Sequence, residues 1–182
     1  MTRRRLTLAV MLAGALLIAA PDVTSHAPRL VWNASASAPV GLYAATPITS
    51  LEVGDLVAVT PPDDLAIFLA ERGYLPRGVP LIKRVLALPG TEVCRSGTTI
   101  LAHGRAWGEA QARDRLGRDL PRWQGCRGIA ARELFLMNWD APDSLDGRYF
   151  GPLPITSITA RLSPIWTDRD GDRRFEWWAQ MR

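Results

Sequence analysis

The chain has 182 residues, room for one domain and an appended segment. A composition 47% hydrophobic and 22% charged excludes wholesale disorder. The net charge of +4 would suit nucleic acid, but the arginines alternate with acids in "ARDRLGRD" and "TDRDGDRR", which argues for a solvated surface and no nucleic-acid partner.

At the N-terminus, Arg3, Arg4 and Arg5 precede an uncharged run, "LTLAVMLAGALLIAA", closed by Pro21. A helix over residues 6–20 covers about 22 Å against a hydrocarbon core of ~30 Å, a length that suits a cleaved signal peptide as well as an anchor. Both candidate cleavage sites are poor. Ile18 takes the −3 place for a cut after Ala20, and Ser25-His26-Ala27 is followed by Pro28. The reading therefore favours one uncleaved N-terminal transmembrane helix within residues 1–21, arginines inside, with residues 22–182 exported. An exported Cys94 and Cys126 either pair, which stabilises by about 3–4 kcal/mol in the chain-entropy model, or remain two buried thiols. No ligand spacing joins them to His26 or His103, so no metal site is expected.

After a linker over residues 21–32, short runs bounded by Gly and Pro follow: "GLYAAT", "DLVAVT", "PLIKRVLAL", "TEVC", "TTILAHGRAW", "ELFLMN" and "ITARLSPIW". Their length and β-branched content predict strands of a mainly β domain, with His103-Gly104 at a hairpin tip. "PDDLAIFLAERG" predicts a helix capped by Asp63 or Asp64 and ended by Gly73, with Leu65, Phe68 and Leu69 on one face. Residues 108–125, polar and arginine-rich, predict an exposed loop. The tail "DRDGDRRFEWWAQMR" lacks the glycine and bidentate glutamate of a calcium loop at the required places.

Among 22 Lys and Arg, Lys83 is the one lysine, and it lies inside the apolar run "LIKRVLALPG". On a strand it shares a face with Leu81, Val85 and Ala87, while Arg84 points the other way with Ile82 and Leu86. Burial lowers an amine's pKa, whereas a guanidinium keeps its proton, so a lysine here has a chemical use that arginine lacks: it can become a base. The bland alternatives are a stray lysine in an arginine-rich chain, or one that snorkels to water. A neutral lysine needs a nucleophile. In "NASASAPVGLY" small residues crowd Ser37, Pro39 fixes the backbone after it and Gly41 permits a tight turn, although the same composition serves an ordinary linker.

Taken in order, "SASAPVGLY", "LIKRVLALPGTEV" and "DSLDGRYFGPLP" after a membrane segment resemble the type I signal peptidases, most closely their conjugative-transfer, TraF-type branch. The resemblance covers residues 32–166 and implies a fold of antiparallel coiled sheets with few short helices. It implies Ser37 as nucleophile and Lys83 as general base, with the Ser35 hydroxyl and the backbone at Ser37 holding the oxyanion. Ser144 falls where a serine hydrogen-bonds the lysine, and Asp146 and Arg148 fall on the pair that orders that region, by a structural ion pair or a direct catalytic effect. No cofactor or metal is implied. The expected activity is a Ser/Lys endopeptidase in the bacterial inner membrane, its catalytic domain in the periplasm. Its partner would be a membrane-associated precursor, a pilin for conjugation or type IV secretion. The alternatives are a general leader peptidase acting on preproteins and a catalytically silent scaffold of the secretion channel. Hydrolysis and the joining of pilin ends are not distinguished. Departures from the housekeeping pattern are Ala38 after the nucleophile, "LMNWDAP" in place of Gly-Asp-Asn, and Gly147 within the third motif.

Overall fold

The computed structural model describes residues 3–23 and 29–179, so Ser25-His26-Ala27 lies outside the described residues. Strands form at the Gly- and Pro-bounded runs, and also at Leu30–Asn33 inside the expected linker and at Gly125–Gly128, Leu153–Pro154 and Glu176–Trp177, outside those runs. They begin with β1 (Leu30–Asn33), β2 (Val40–Thr46), β3 (Leu56–Val59), β4 (Leu81–Ala87), β5 (Glu92–Ser96) and β6 (Thr99–Ala102). These are followed by β7 (Arg105–Glu109), β8 (Gly125–Gly128), β9 (Glu133–Leu136), β10 (Leu153–Pro154), β11 (Ile158–Asp168) and β12 (Glu176–Trp177). Among the described residues three helices accompany them, α1 (Arg3–Val23), α2 (Asp63–Glu71) and α3 (Gly147–Phe150), with a 3₁₀ turn at Ile155–Ser157. The fold is thus mainly β, and its strand pairs are antiparallel.

A large sheet runs β1-β2-β11-β3-β4-β9-β10, with β12 on β11, and a small one runs β7-β6-β5-β8. The long β11 pairs with both β2 and β3, and its register on β2 shifts between Pro164 and Trp166. Opposite this bulge Gly41 has φ 147°, and a Cβ on it would meet the Trp166 carbonyl oxygen at 2.2 Å, so only glycine lets the two backbones come this close.

Strand β4 is central, and all seven of its residues are buried because both faces are covered. Leu81 and Val85 pack with Val57, Leu134 and Leu136, while Ile82 faces Tyr43, Leu56 and Leu162. The register against β9 shifts between Val85 and Ala87. That irregularity breaks the alternation, so Ala87, expected beside Lys83 and Val85, joins Leu86, Ile100 and Phe135 in another part of the core. Arg84 is buried as well, its guanidinium lying over the Trp139 ring and 3.6 Å from Asp140.

In the small sheet, His103 and Gly104 turn the β6–β7 hairpin with φ of 53° and 73°. Cys94 and Cys126 face one another on β5 and β8 and form a disulfide. The expectation of an exposed loop over residues 108–125 is corrected in part, since most of the segment is exposed but not all of it. Ala110, Leu120 and Trp123 are buried, with Ala110 and Leu120 packed on Tyr149. Polar spelling concealed a segment anchored at intervals by single apolar residues. The cap of α2 is corrected too. Pro62 holds that position without a side-chain bond, and Asp63 and Asp64 lie in the first turn, where their charge suits the helix dipole.

The expected transmembrane segment is met by a helix, α1, but among the described residues no helix is long and apolar enough to cross a membrane. Arg3–Arg5 open this helix and Pro21-Asp22 close it, which leaves only the run 6–20 as unbroken apolar sequence.

Candidate active site

Ser35 and Ser37 lie on the loop that joins β1 to β2, and the loop's shape is set from within. The buried Asn33 side chain accepts from the Ser35 N–H at 3.0 Å and donates toward the carbonyl oxygens of Ser35, Ala38 and Pro39 at 2.9–3.0 Å. Tyr43 donates its hydroxyl to the Pro39 carbonyl at 2.6 Å. A loop so tied presents the half-buried Ser37 at a fixed place. Its hydroxyl lies 2.9 Å from that of Ser35, and among the described residues no hydrogen bond occupies its backbone N–H.

Lys83, only 3% exposed, projects from the middle of β4 and donates from Nζ to the Ser144 hydroxyl at 2.8 Å. Burial pushes its amine down from 10.5 to about 8; the Asp146 carboxylate opposes that shift and the Arg148 guanidinium adds to it. Ser35, Ser37, Lys83 and Ser144 line one open cleft of about 640 Å³, with Tyr74 and Leu116 on its other walls. Among the described residues no hydrogen bond joins Lys83 to Ser37. The two hydroxyls of the loop are turned to each other, and the amine to Ser144.

Asp146 and Arg148 form a buried ion pair, two guanidinium nitrogens meeting the two carboxylate oxygens at 2.8 and 2.9 Å. Asp146 also caps α3 by accepting from the Arg148 N–H at 3.2 Å. The guanidinium also reaches the carbonyl oxygens of Glu109, Asn138, Ala141, Pro142 and Ser144 at 2.7–3.4 Å. The pair therefore holds the loop that carries Ser144, and two opposite charges near Lys83 leave burial as the dominant influence on its amine. Gly147 between them is required. A Cβ there would lie 2.7 Å from the Phe135 ring and 2.8 Å from the Leu136 carbonyl oxygen.

Sequence reasoning assigned no role to Asn33 or Asn138. Asn138 is 3% exposed and donates from Nδ2 to the Ser37 carbonyl at 2.6 Å, across from the loop that holds the serines. The available signal was the departure at "LMNWDAP", where an amide stands in a motif otherwise read for its acid and serine. Cys94 and Cys126 lie beside Glu92, but bridged sulfurs offer no thiolate to a metal.

Residues 2–167 match the signal peptidase family, peptidase S26, and the chain belongs to that family. It is 33% identical over 177 residues to a plasmid transfer protein TraF of Escherichia coli, covering 90% of this chain and 97% of that one. It is 32% identical over 146 residues to the conjugal transfer protein TraF of Agrobacterium fabrum, covering 74% of this chain and 81% of that one. Among solved structures, a signal peptidase I of Enterococcus faecalis aligns with a TM-score of 0.40 and 19% identity, over 64% of this chain and 100% of that one.

Proposed function

We propose that the chain is a membrane-anchored Ser/Lys endopeptidase of the bacterial inner membrane. Its domain would work in the periplasm on a precursor protein, a pilin of a conjugative or type IV secretion apparatus. The observation that carries the reading is the buried amine of Lys83, held near a pKa of about 8 and lining the same cleft as the Ser37 hydroxyl. Holding an amine down from 10.5 to about 8 costs a fold roughly 3 kcal/mol, which a silent scaffold has no reason to keep.

In the proposed reaction the Ser37 hydroxyl turns from Ser35 toward Lys83 and attacks the scissile carbonyl, and the neutral amine takes its proton. The Ser37 N–H and the Ser35 hydroxyl hold the oxyanion. As the intermediate collapses, the lysine ammonium gives its proton to the departing amine and leaves an acyl-enzyme. Lys83 then takes a proton from the water that attacks the ester, or from an amine where two ends are joined, and returns it to the Ser37 oxygen as the bond from that oxygen to the acyl group breaks. The names of the TraF relatives favour the transfer role over general leader processing.

The membrane part of the proposal rests on Arg3–Arg5 before the apolar run, whose side chains reach toward headgroups, and on aromatic residues beyond it. Trp32, Trp177 and Trp178 are each more than half exposed, and the rings of Trp32, Trp166 and Phe175 cluster, Trp32 stacked on Phe175 and Trp166 tilted against both, an amphipathic surface suited to a bilayer interface. Incubation of the detergent-solubilised chain with purified pilin precursors of conjugative systems tests the function. Mass spectrometry is expected to show one discrete processed product, absent with Ser37→Ala. Processing that persists in Ser37→Ala rules the proposal out.

A further inference from the structure

The side-chain amide of Asn138 stands where three parts of the cleft meet. Strand β9 ends at Leu136, and the Met137 N–H still donates to the Arg84 carbonyl at 2.9 Å. There the main chain leaves β4 and the Asn138 side chain continues the ladder. Its Oδ1 accepts from the Arg84 N–H at 2.9 Å and its Nδ2 donates to the Ile82 carbonyl at 3.0 Å, the two residues that flank Lys83. Nδ2 also donates to the Ser37 carbonyl at 2.6 Å. The backbone of Asn138 is held as well, its N–H by Asp146 at 3.1 Å and its carbonyl by Arg148 at 3.3 Å. The orientation of the amide is forced, since the reverse would set Oδ1 against two carbonyl oxygens and the amino group against an N–H.

We propose that Asn138 is the positioning residue that sets Ser37 against Lys83, by hanging the Ser37 backbone and the β4 backbone on either side of Lys83 from one amide. The inference rests on the peptidase reading of the same cleft. Its physical basis is that neither the Ser37 hydroxyl nor the Lys83 amine bonds the other, so their separation is inherited from the segments that carry them. Those segments come from different parts of the chain, and the Asn138 amide bonds both. Loss of that amide takes one bond from each of two carbonyl oxygens and one N–H and frees the serine loop to drift from β4. A misplacement near 1 Å lowers turnover by about 100-fold while leaving substrate binding almost unchanged.

The experiment follows hydrolysis of p-nitrophenyl butyrate by the full chain in detergent micelles across pH, with Ser37→Ala in parallel. For Asn138→Ala the expected result is a kcat about 100-fold down, a KM within about threefold of the parent, and an unchanged midpoint of the pH profile. Asn138→Asp keeps the side-chain volume and the acceptor for Arg84 but turns a carboxylate toward the two carbonyls. It is expected to lose kcat similarly and to move the midpoint upward, because it adds a negative charge near the amine. A folded variant of either kind with kcat within twofold of the parent overturns the proposal, as does a loss confined to KM. Should both variants fail to fold, exchange of the Asn138 side-chain amide protons, followed by NMR in the parent, decides. Protected protons support the clamp, and exchange at the rate of free asparagine refutes it. Ester hydrolysis undiminished in Ser37→Ala would instead remove the peptidase reading.

Discussion

Lys83 and Ser144 share a hydrogen bond of 2.8 Å in which the hydroxyl is the amine's partner among the described residues. A hydroxyl both accepts and donates, so the contact serves the ammonium by accepting from it and the neutral amine by donating to it. A carboxylate in that place would favour only the charged form. The acid whose charge reaches the amine, Asp146, is instead paired with Arg148, which leaves burial to govern the amine. The position of the ion pair and the choice of serine thus act together to keep a lysine near its neutral state.

We predict that activity rises with pH through a midpoint near 8, as the Lys83 amine loses its proton. The rate of ester hydrolysis between pH 6 and pH 10, roughly the span of one such titration on either side, gives the curve. Ser144→Ala takes a partner from both forms of the amine and is expected to lower the rate with little change in the midpoint. Lys83→Arg is expected to be inactive at every pH, since its guanidinium keeps its proton. A working arginine variant removes the general-base role.

Stability has its own dependence on the same group. The unfolded chain holds the lysine proton up to about 10.5 and the fold releases it at about 8, so between these values the unfolded state binds more protons and stability rises with pH. Below pH 8 the fold bears the full cost of the buried charge. We predict that Lys83→Met is more stable than the parent at pH 7 by about 2 kcal/mol: roughly 3 from the relieved amine, less ~1 for the lost bond to Ser144. The advantage fades above pH 8, crosses zero at about pH 9.5 and becomes a deficit of about 1 kcal/mol above about pH 10.5, where only the lost Ser144 bond remains. Urea unfolding of both proteins at pH 7 and pH 10 measures it, and an equal advantage at the two values would mean that titration of the amine is not the cause.

The residues that meet in the cleft were legible to different degrees. Lys83 stood out because a charge inside an apolar strand is a local contradiction, and the strands stood out because Gly and Pro bound them. Residues whose work lies in backbone contacts were not visible. Asn33 and Asn138 act on carbonyl oxygens that lack partners only once a hairpin loop and a departing strand have been placed, and no spacing of residue types announces that. Ala87 was misplaced because the register shift near Leu86 follows from how β4 meets β9, a property of two strands far apart in sequence. The 108–125 segment was read from its arginines, whereas Leu120 and Trp123 decide where it lies.

Breaking the Asp146–Arg148 pair is expected to be severe. Both side chains are almost fully buried, and removal of one charge strands the other away from water, which costs about 3–5 kcal/mol. We predict a loss of this size for Asp146→Asn, measured by chemical denaturation. We also predict a lower midpoint in the pH profile of the folded fraction, because the charge that raises the Lys83 pKa is gone. A stable variant with an unchanged profile would show that the pair neither holds the Ser144 loop nor reaches the amine.

The disulfide supplies the last prediction. Cys94 and Cys126, 32 residues apart, close the segment that includes the wall of the cleft at Leu116. That segment has other fastenings. Gln111 and Arg115 both bond Asp143, next to Ser144, and Asp114 is gripped by Tyr74 and Arg118. The β5–β8 ladder also sets the register of the two strands without the covalent bond. The double variant Cys94→Ala/Cys126→Ala is therefore expected to lose about 3–4 kcal/mol, chiefly through a freer unfolded chain. The kcat of its folded fraction should stay within about threefold of the parent, since the residues at Ser37 and Lys83 keep their own supports. Denaturation curves with and without reductant, read beside ester hydrolysis at low denaturant, separate the two effects. A large fall in kcat with little loss of stability would place the disulfide among the devices that shape the cleft.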